Sequence, residues 1–249
     1  MKKAAKLGLE PSRIASEIIA FLRANASAGR ARSSQRYFKE PVQLYGIQAH
    51  VLRKHAKSLA SQLKGKWSWV EAVSLVDALI QEPQLETKAM GLLILGQFEA
   101  DLPAHLLPRI KSWLAWHSGN WATVDLLAPD ILGPLLDRHP DLITEVESWS
   151  GSPNLWVRRG AMVAFVKHAR QGKHLGAVYR IAEKLLADQE DLMHKAVGWV
   201  LREAGKTDAE RLERFLLRHG LQMARTSVRY AIERFPETDR KRLLVVTRR

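Results

Sequence analysis

The chain has 249 residues, 46% of them hydrophobic, and 39 Lys and Arg against 26 Asp and Glu give a formal charge of +13. That length accommodates one large domain or two small ones, and the apolar fraction is enough for a core, which excludes wholesale disorder. Cysteine is absent, which excludes disulfides, CxxC redox chemistry and cysteine-ligated zinc and makes a reducing cytoplasm the expected setting.

No apolar run approaches the roughly 20 residues of a membrane-spanning helix. Met1-Lys2-Lys3-Ala4 is basic, but no apolar signal-peptide core follows it. The positive surplus points to a polyanionic partner, and it is unevenly spread. Residues 1–66 carry 14 basic and 3 acidic residues, a net +11; residues 67–150 carry 4 and 12, a net −8; residues 151–249 carry 21 and 11, a net +10.

Apolar residues recur at i, i+3, i+4 nearly throughout, so the chain is read as all-α, with helices of about 12–18 residues and short loops. In chain order, 26–36 reads as a flexible basic loop. Trp67 and Trp69 fall at a helix start. Pro83, Pro103, Pro129, Pro140 and Pro153 sit near helix starts, where a missing N–H costs little. Trp113 and Trp116, three apart, read as core. Trp121 and Asp125, four apart, share a helix face. Trp156 is close to Arg158 and Arg159. Val163, Phe165 and Val166, then Val178, Ile181, Leu185 and Leu186, continue the helical pattern. In Lys195–Glu203, Lys195 and Trp199 again share a face. Gly198 costs that helix roughly 1 kcal/mol relative to Ala, which implies either close approach to the backbone or tight helix packing. Thr207-Asp208-Ala209-Glu210 fits a capping box, and Leu243-Leu244-Val245-Val246 is the one short strand candidate. The expected organisation is a single domain over 1–249, with loose tails at 1–9 and 240–249.

A repeat underlies the helices. A basic residue followed by a small or apolar one opens an apolar stretch at Lys88-Ala89, Arg159-Gly160, Lys195-Ala196 and Arg229-Tyr230. The later pairs lie 36 and 34 residues apart and the first interval is about twice that, so a missing unit is expected near Val124. A period of about 35 in paired helices predicts a curved α-solenoid of HEAT-like repeats with a concave face. A plain helical bundle is the alternative.

Chemical motifs are few. No HExxH, P-loop or GxGxxG occurs. His50 and His55 are five apart, and His168 and His174 six apart. Neither spacing puts two imidazoles on one helix face, so the histidines read as surface or structural residues, with no metal site and no cofactor.

Three strings resemble the AlkD-type family of DNA alkylation repair glycosylases: Asn120-Trp121-Ala122-Thr123-Val124-Asp125, Asn154-Leu155-Trp156-Val157-Arg158-Arg159, and Lys195-Ala196-Val197-Gly198-Trp199-Val200-Leu201-Arg202-Glu203. Arg36-Tyr37-Phe38-Lys39 followed by Leu44-Tyr45-Gly46-Ile47 resembles the family's N-terminal motif. The order and separations match over roughly 10–235, and the Lys195–Glu203 string is the most specific element.

The resemblance implies a HEAT-like solenoid whose concave face grips duplex DNA carrying alkylated purines, and hydrolytic release of cationic bases such as 3-methyladenine and 7-methylguanine. It implies that Trp121, Asp125, Arg159 and Trp199 meet around the damaged nucleotide and that Tyr37 borders it, with Arg158 and Lys195 as further contacts to lesion or phosphate. It also implies that the base is not flipped, and a monomer without an obligate protein partner is expected. Many relatives have an acidic residue directly after the first Trp. Ala122 stands there here, which predicts altered packing rather than lost chemistry.

These residue types suit that reaction. An N3- or N7-alkylated purine is already cationic and leaves as a neutral base, so no general acid is needed. As the bond breaks, positive charge moves to the deoxyribose. A carboxylate stabilises that charge and orients or deprotonates water, the role expected of Asp125. Indole faces attract cations by roughly 0.5–2 kcal/mol each, the role expected of Trp121 and Trp199. A guanidinium fork matches phosphate, the role expected of Arg159. Taken singly, the tryptophans fit a core, Asp125 a cap or surface acid, and Arg159 a solvated face; their match in order is what points to a site. Two other readings are a non-catalytic HEAT-like scaffold that binds nucleic acid by charge, and a protein–protein adaptor with a basic face.

Overall fold

The computed structural model describes residues 9–248. Residues 1–8 and 249 lie outside the described residues, and with them most of the expected N-terminal tail. Among the described residues there are helices and two isolated backbone bridges but no strand. Among the described residues no helix is long and apolar enough to cross a membrane.

The chain divides into two compact units, Met1–Leu126 and Leu127–Arg249. In the first, α1 (Pro11–Ala24) packs on α4 (Trp69–Leu79), and α3 (Ala49–Leu63) and α4 both pack on α5 (Leu85–Leu95). Their shared core holds Ile18, Leu22, Leu63, Leu75, Leu79, Met90 and Ile94 at full burial. α2 (Ala28–Gln35) buries nothing. α6 (Leu107–Ser112), a π-turn (Trp113–His117) and α7 (Trp121–Leu127) follow. In the second unit, α8 (Gly133–Arg138) and α9 (Ile143–Ser148) precede α10 (Leu155–Val163), α11 (Val166–Arg170), α12 (Leu175–Lys184), α13 (Asp191–Gly205), α14 (Ala209–His219), α15 (Arg225–Ala231) and α16 (Glu237–Val246). There α13 packs on α10, α11 and above all α15.

The repeat is visible in the helix starts. α5, α7, α10, α13 and α15 begin at Leu85, Trp121, Leu155, Asp191 and Arg225, intervals of 36, 34, 36 and 34 residues. The unit expected near Val124 is α7. In the four units that carry one, the basic residue lies about one turn into the helix rather than opening it, and two of these residues tie one repeat to the next. Lys88 Nζ donates to the His117 carbonyl at 2.6 Å, and the Arg159 guanidinium donates to the Leu192 carbonyl. Burial lowers the pKa of Lys88.

Several local expectations are corrected. Residues 28–35 form a helix, not a flexible loop. Ser27 caps it by accepting from Arg30 N, Ser27 N donates to the Tyr45 carbonyl at 2.7 Å, and Arg30 Nε donates to the Gly46 carbonyl at 2.9 Å. Its residues face water on most sides, so no apolar stripe marks it. The cap at 207–210 is displaced by one residue: Asp208, not Thr207, accepts from Arg211 N at 2.9 Å. Thr207 Oγ1 instead donates to the Ala204 carbonyl at 3.0 Å. A true capping box stands at Ser68 and Glu71. Leu243–Val246 is helical, and over 240–246, where a loose tail was expected, α16 is anchored by the buried Leu243. Trp113 is core, but Trp116 is 80% exposed, because the two lie on different sides of the π-turn. Trp67 is buried, and its Nε1 donates to the Leu9 carbonyl.

Candidate functional site

In the first unit, one turn of α7 carries Trp121 and Asp125, and both line an open cavity of about 460 Å³. Asn120 starts the helix, its Oδ1 accepting from Thr123 N at 3.1 Å. The i, i+4 spacing then sets the indole and the carboxylate on one face. Two contacts fix the indole: its Nε1 donates to the Tyr37 carbonyl at 3.3 Å, and Phe38 stacks on it with centroids 5.3 Å apart. Phe38, Leu44, Ile47 and Leu52 supply apolar walls. Ala122 lines the same cavity. Asp125 is half-buried.

The loop beneath this wall rests on Glu86, a buried carboxylate on α5. Its Oε1 accepts from Gly46 N at 2.7 Å and Ile47 N at 3.2 Å, and its Oε2 accepts from Tyr45 N at 3.0 Å. Gly46 has φ +79°, and a Cβ there would lie 2.3 Å from the Ser27 carbonyl oxygen and 2.5 Å from Ala31 N. The Tyr45-Gly46-Ile47 string is therefore a backbone seat that brings α2 against the loop, and the Tyr37–Phe38 segment follows directly from that helix.

Tyr37 enters through its backbone. Its side chain is 76% exposed and its carbonyl holds Trp121. The sequence does not mark Phe38 or Glu86: Phe38 is one aromatic within Arg36–Lys39, and a lone Glu in an apolar helix carries no signal of the three amides it accepts from.

In the second unit, Arg158 and Arg159 lie on α10 and Lys195 and Trp199 on α13. Arg158 is held internally: its Nε meets Asp188 Oδ2 at 2.7 Å and its Nη1 donates to the Ser152 and Pro153 carbonyls. Arg159 is only 4% exposed and donates to the Leu192 carbonyl. Lys195 pairs with Asp191 at 2.7 Å. Trp199 is half-buried. Gly198 beside it is explained by helix packing, since a Cβ would lie 2.5 Å from Tyr230 Cβ and 2.7 Å from the Ser227 carbonyl oxygen on α15.

Fold and site together define an all-α helical-repeat protein with an indole and a carboxylate one turn apart lining an apolar-walled open cavity. The chain belongs to the DNA alkylation repair enzyme family, whose pattern matches residues 18–235. No curated protein matches it significantly in sequence. Among solved structures it is similar to one described as a predicted DNA alkylation repair enzyme from Enterococcus faecalis, with a TM-score of 0.76, 17% identity and coverage of 86% of this chain and 98% of that one. It is also similar to AlkD2 from Streptococcus mutans, with a TM-score of 0.58, 15% identity and coverage of 84% and 98%. At these identities the likeness is one of fold. The family assigns the chain a role in DNA alkylation repair and, with it, DNA binding.

Proposed function

We propose that the protein is a DNA glycosylase that hydrolyses the N-glycosidic bond of cationic alkylpurines, 3-methyladenine and 7-methylguanine, in duplex DNA. The observation that carries this reading is the Trp121–Asp125 pair, with the indole pinned by the Tyr37 carbonyl and Phe38 and the carboxylate one turn away on the same cavity. Cleavage sends the electron pair of the C1′–N bond to the base, which leaves neutral, and positive charge develops on the sugar. Asp125 stabilises that charge and takes a proton from the water that adds to C1′. Trp121 offers its face to the cationic nucleotide.

The resemblance supplies the remaining roles. Trp199 is a second indole face, and Arg159 is a guanidinium for the phosphate beside the lesion, fixed by its bond to the Leu192 carbonyl. Arg158 and Lys195 are further contacts to lesion or phosphate. The base stays unflipped in this reading, and neither cofactor nor obligate protein partner is needed.

Asp125→Asn keeps the shape and removes the charge. Release of 7-methylguanine from methylated duplex should fall by on the order of 10²–10³, with appearance of abasic sites falling in step. Release at the wild-type rate would end the assignment of Asp125. Absence of release from the unsubstituted protein, with duplex binding retained, would favour a non-catalytic scaffold.

A further inference from the structure

Nothing in the proposed repair chemistry uses the end of α8 or the turn between α11 and α12, yet three ligand-type side chains converge there. Asp137 comes from α8, His168 from α11, and His174 from the residue just before α12. Their ligand atoms all lie within 4.8 Å of one another. His168 Nε2 is 3.1 Å from Asp137 Oδ2, and His174 Nε2 is 3.6 Å from Oδ1 of the same carboxylate. The imidazoles meet edge to face, with centroids 5.0 Å apart. We propose that Asp137, His168 and His174 form a binding site for one divalent first-row transition-metal ion, of the zinc class.

Distance supports this first. An ion about 2.0–2.1 Å from each of three tetrahedrally placed ligands sets them roughly 3.3 Å apart. Each imidazole nitrogen already lies close to that value from one oxygen of the Asp137 carboxylate, and the full set, within 4.8 Å, closes by movement of His174, the looser of the two histidines. Ligand type agrees: two imidazole nitrogens and one carboxylate oxygen, with no thiolate, suit zinc, cobalt, nickel or ferrous ions. The carboxylate is half-exposed, so water completes the coordination from that side.

Backbone and tautomer supply two further observations. His174 has φ +50°, the one non-glycine residue with positive φ among the described residues. That conformation costs roughly 1–2 kcal/mol for a residue with a Cβ, and here it turns the imidazole toward Asp137. His168 is 2% exposed, and no well-formed hydrogen bond reaches its Nδ1, although the Ala164 carbonyl, one turn back, interacts with the ring. With Nε2 on an ion, Nδ1 carries the proton and that carbonyl is its acceptor. That is the usual outer-shell arrangement of a metal-bound histidine. Bound there, the ion joins α8 to the turn at 171–174.

The test uses the full chain stripped with a chelator and titrated with Zn²⁺ by calorimetry, with metal content measured after gel filtration. One equivalent per chain should bind. Asp137→Asn and His174→Ala should each weaken binding at least about tenfold, while His50→Ala, an exposed histidine elsewhere, should leave it unchanged. In the unsubstituted protein the imidazole nitrogen resonances of His168 and His174 should shift with the first equivalent, a readout that needs no variant to fold. Binding that is not stoichiometric, that survives both substitutions, or that leaves both sets of resonances in place would overturn the proposal.

Discussion

Gly198 shows how a single residue divides what a sequence says from what only packing says. In the sequence it is a costly glycine in a helix, with two explanations open. The structure settles on one: α15 crosses α13 so closely that Tyr230 Cβ and the Ser227 carbonyl occupy the space of a side chain. Ser227 Oγ also donates to the His194 carbonyl at 2.9 Å, locking the crossing. Gly198→Ala gains roughly 1 kcal/mol in helix propensity and loses about 1–3 kcal/mol to overpacking. The expected net effect in urea melts is destabilisation, and a stabilised variant would mean that the two helices separate readily. Glu86 is the reverse case. Its three accepted amides hold the wall of the cavity, yet they come from residues about 40 positions away in sequence, where no local pattern reaches.

At the scale of elements, long apolar helices and their spacing were legible because burial writes its period into the sequence. Elements held by polar contacts were not. The helix 28–35 depends on the Ser27 cap and on Arg30 bonding to Gly46, so its basic run resembled a loop. The cap before α14 shifted because Thr207 has carbonyls within reach and Asp208 does not need the register that the pattern implied. Leu243–Val246 alternates like nothing in particular, and only the burial of Leu243 on the helix identifies its state. The six-residue spacing of His168 and His174 hides their cluster with Asp137, because spacing along one helix is the wrong measure for side chains from three elements.

An acid test follows from α13. Burial pushes the Glu203 carboxyl upward, but hydrogen bonds from Lys206 at 2.7 Å and Arg170 at 2.8 Å, with their charges, outweigh it and hold its pKa below the ordinary range. A depressed folded-state value contributes stability that is present above the unfolded pKa and lost as pH falls through the folded one. Stability should therefore decline below about pH 4.5, and Glu203→Gln should flatten that decline. An unchanged acid limb in thermal melts would show that the three charges are screened rather than coupled.

At the scale of the whole chain, the net −8 of residues 67–150 proves a poor guide to surface charge. Four of those twelve acids are paired within the chain: Glu86 with backbone amides, Asp77 with Arg109 and Trp113, Glu147 with Arg180, Asp130 with Lys167. The same holds in reverse for Arg158 and Arg159, which motif order singles out but which the structure binds to Asp188 and Leu192. Beside the proposed Arg158, Arg159 and Lys195, exposed cations such as Arg32 on α2, which precedes the segment that holds Trp121, are available to meet phosphates. If such residues grip duplex DNA, the logarithm of the binding constant should fall linearly with the logarithm of salt, with a slope of about −0.9 per phosphate contacted. Six contacts correspond to a loss on the order of 10³ between 50 and 200 mM salt. Arg32→Ala should weaken binding to damaged and undamaged duplex equally and reduce the slope by about one. An affinity indifferent to salt would remove the phosphate grip, and a slope unchanged by the substitution would move it away from α2.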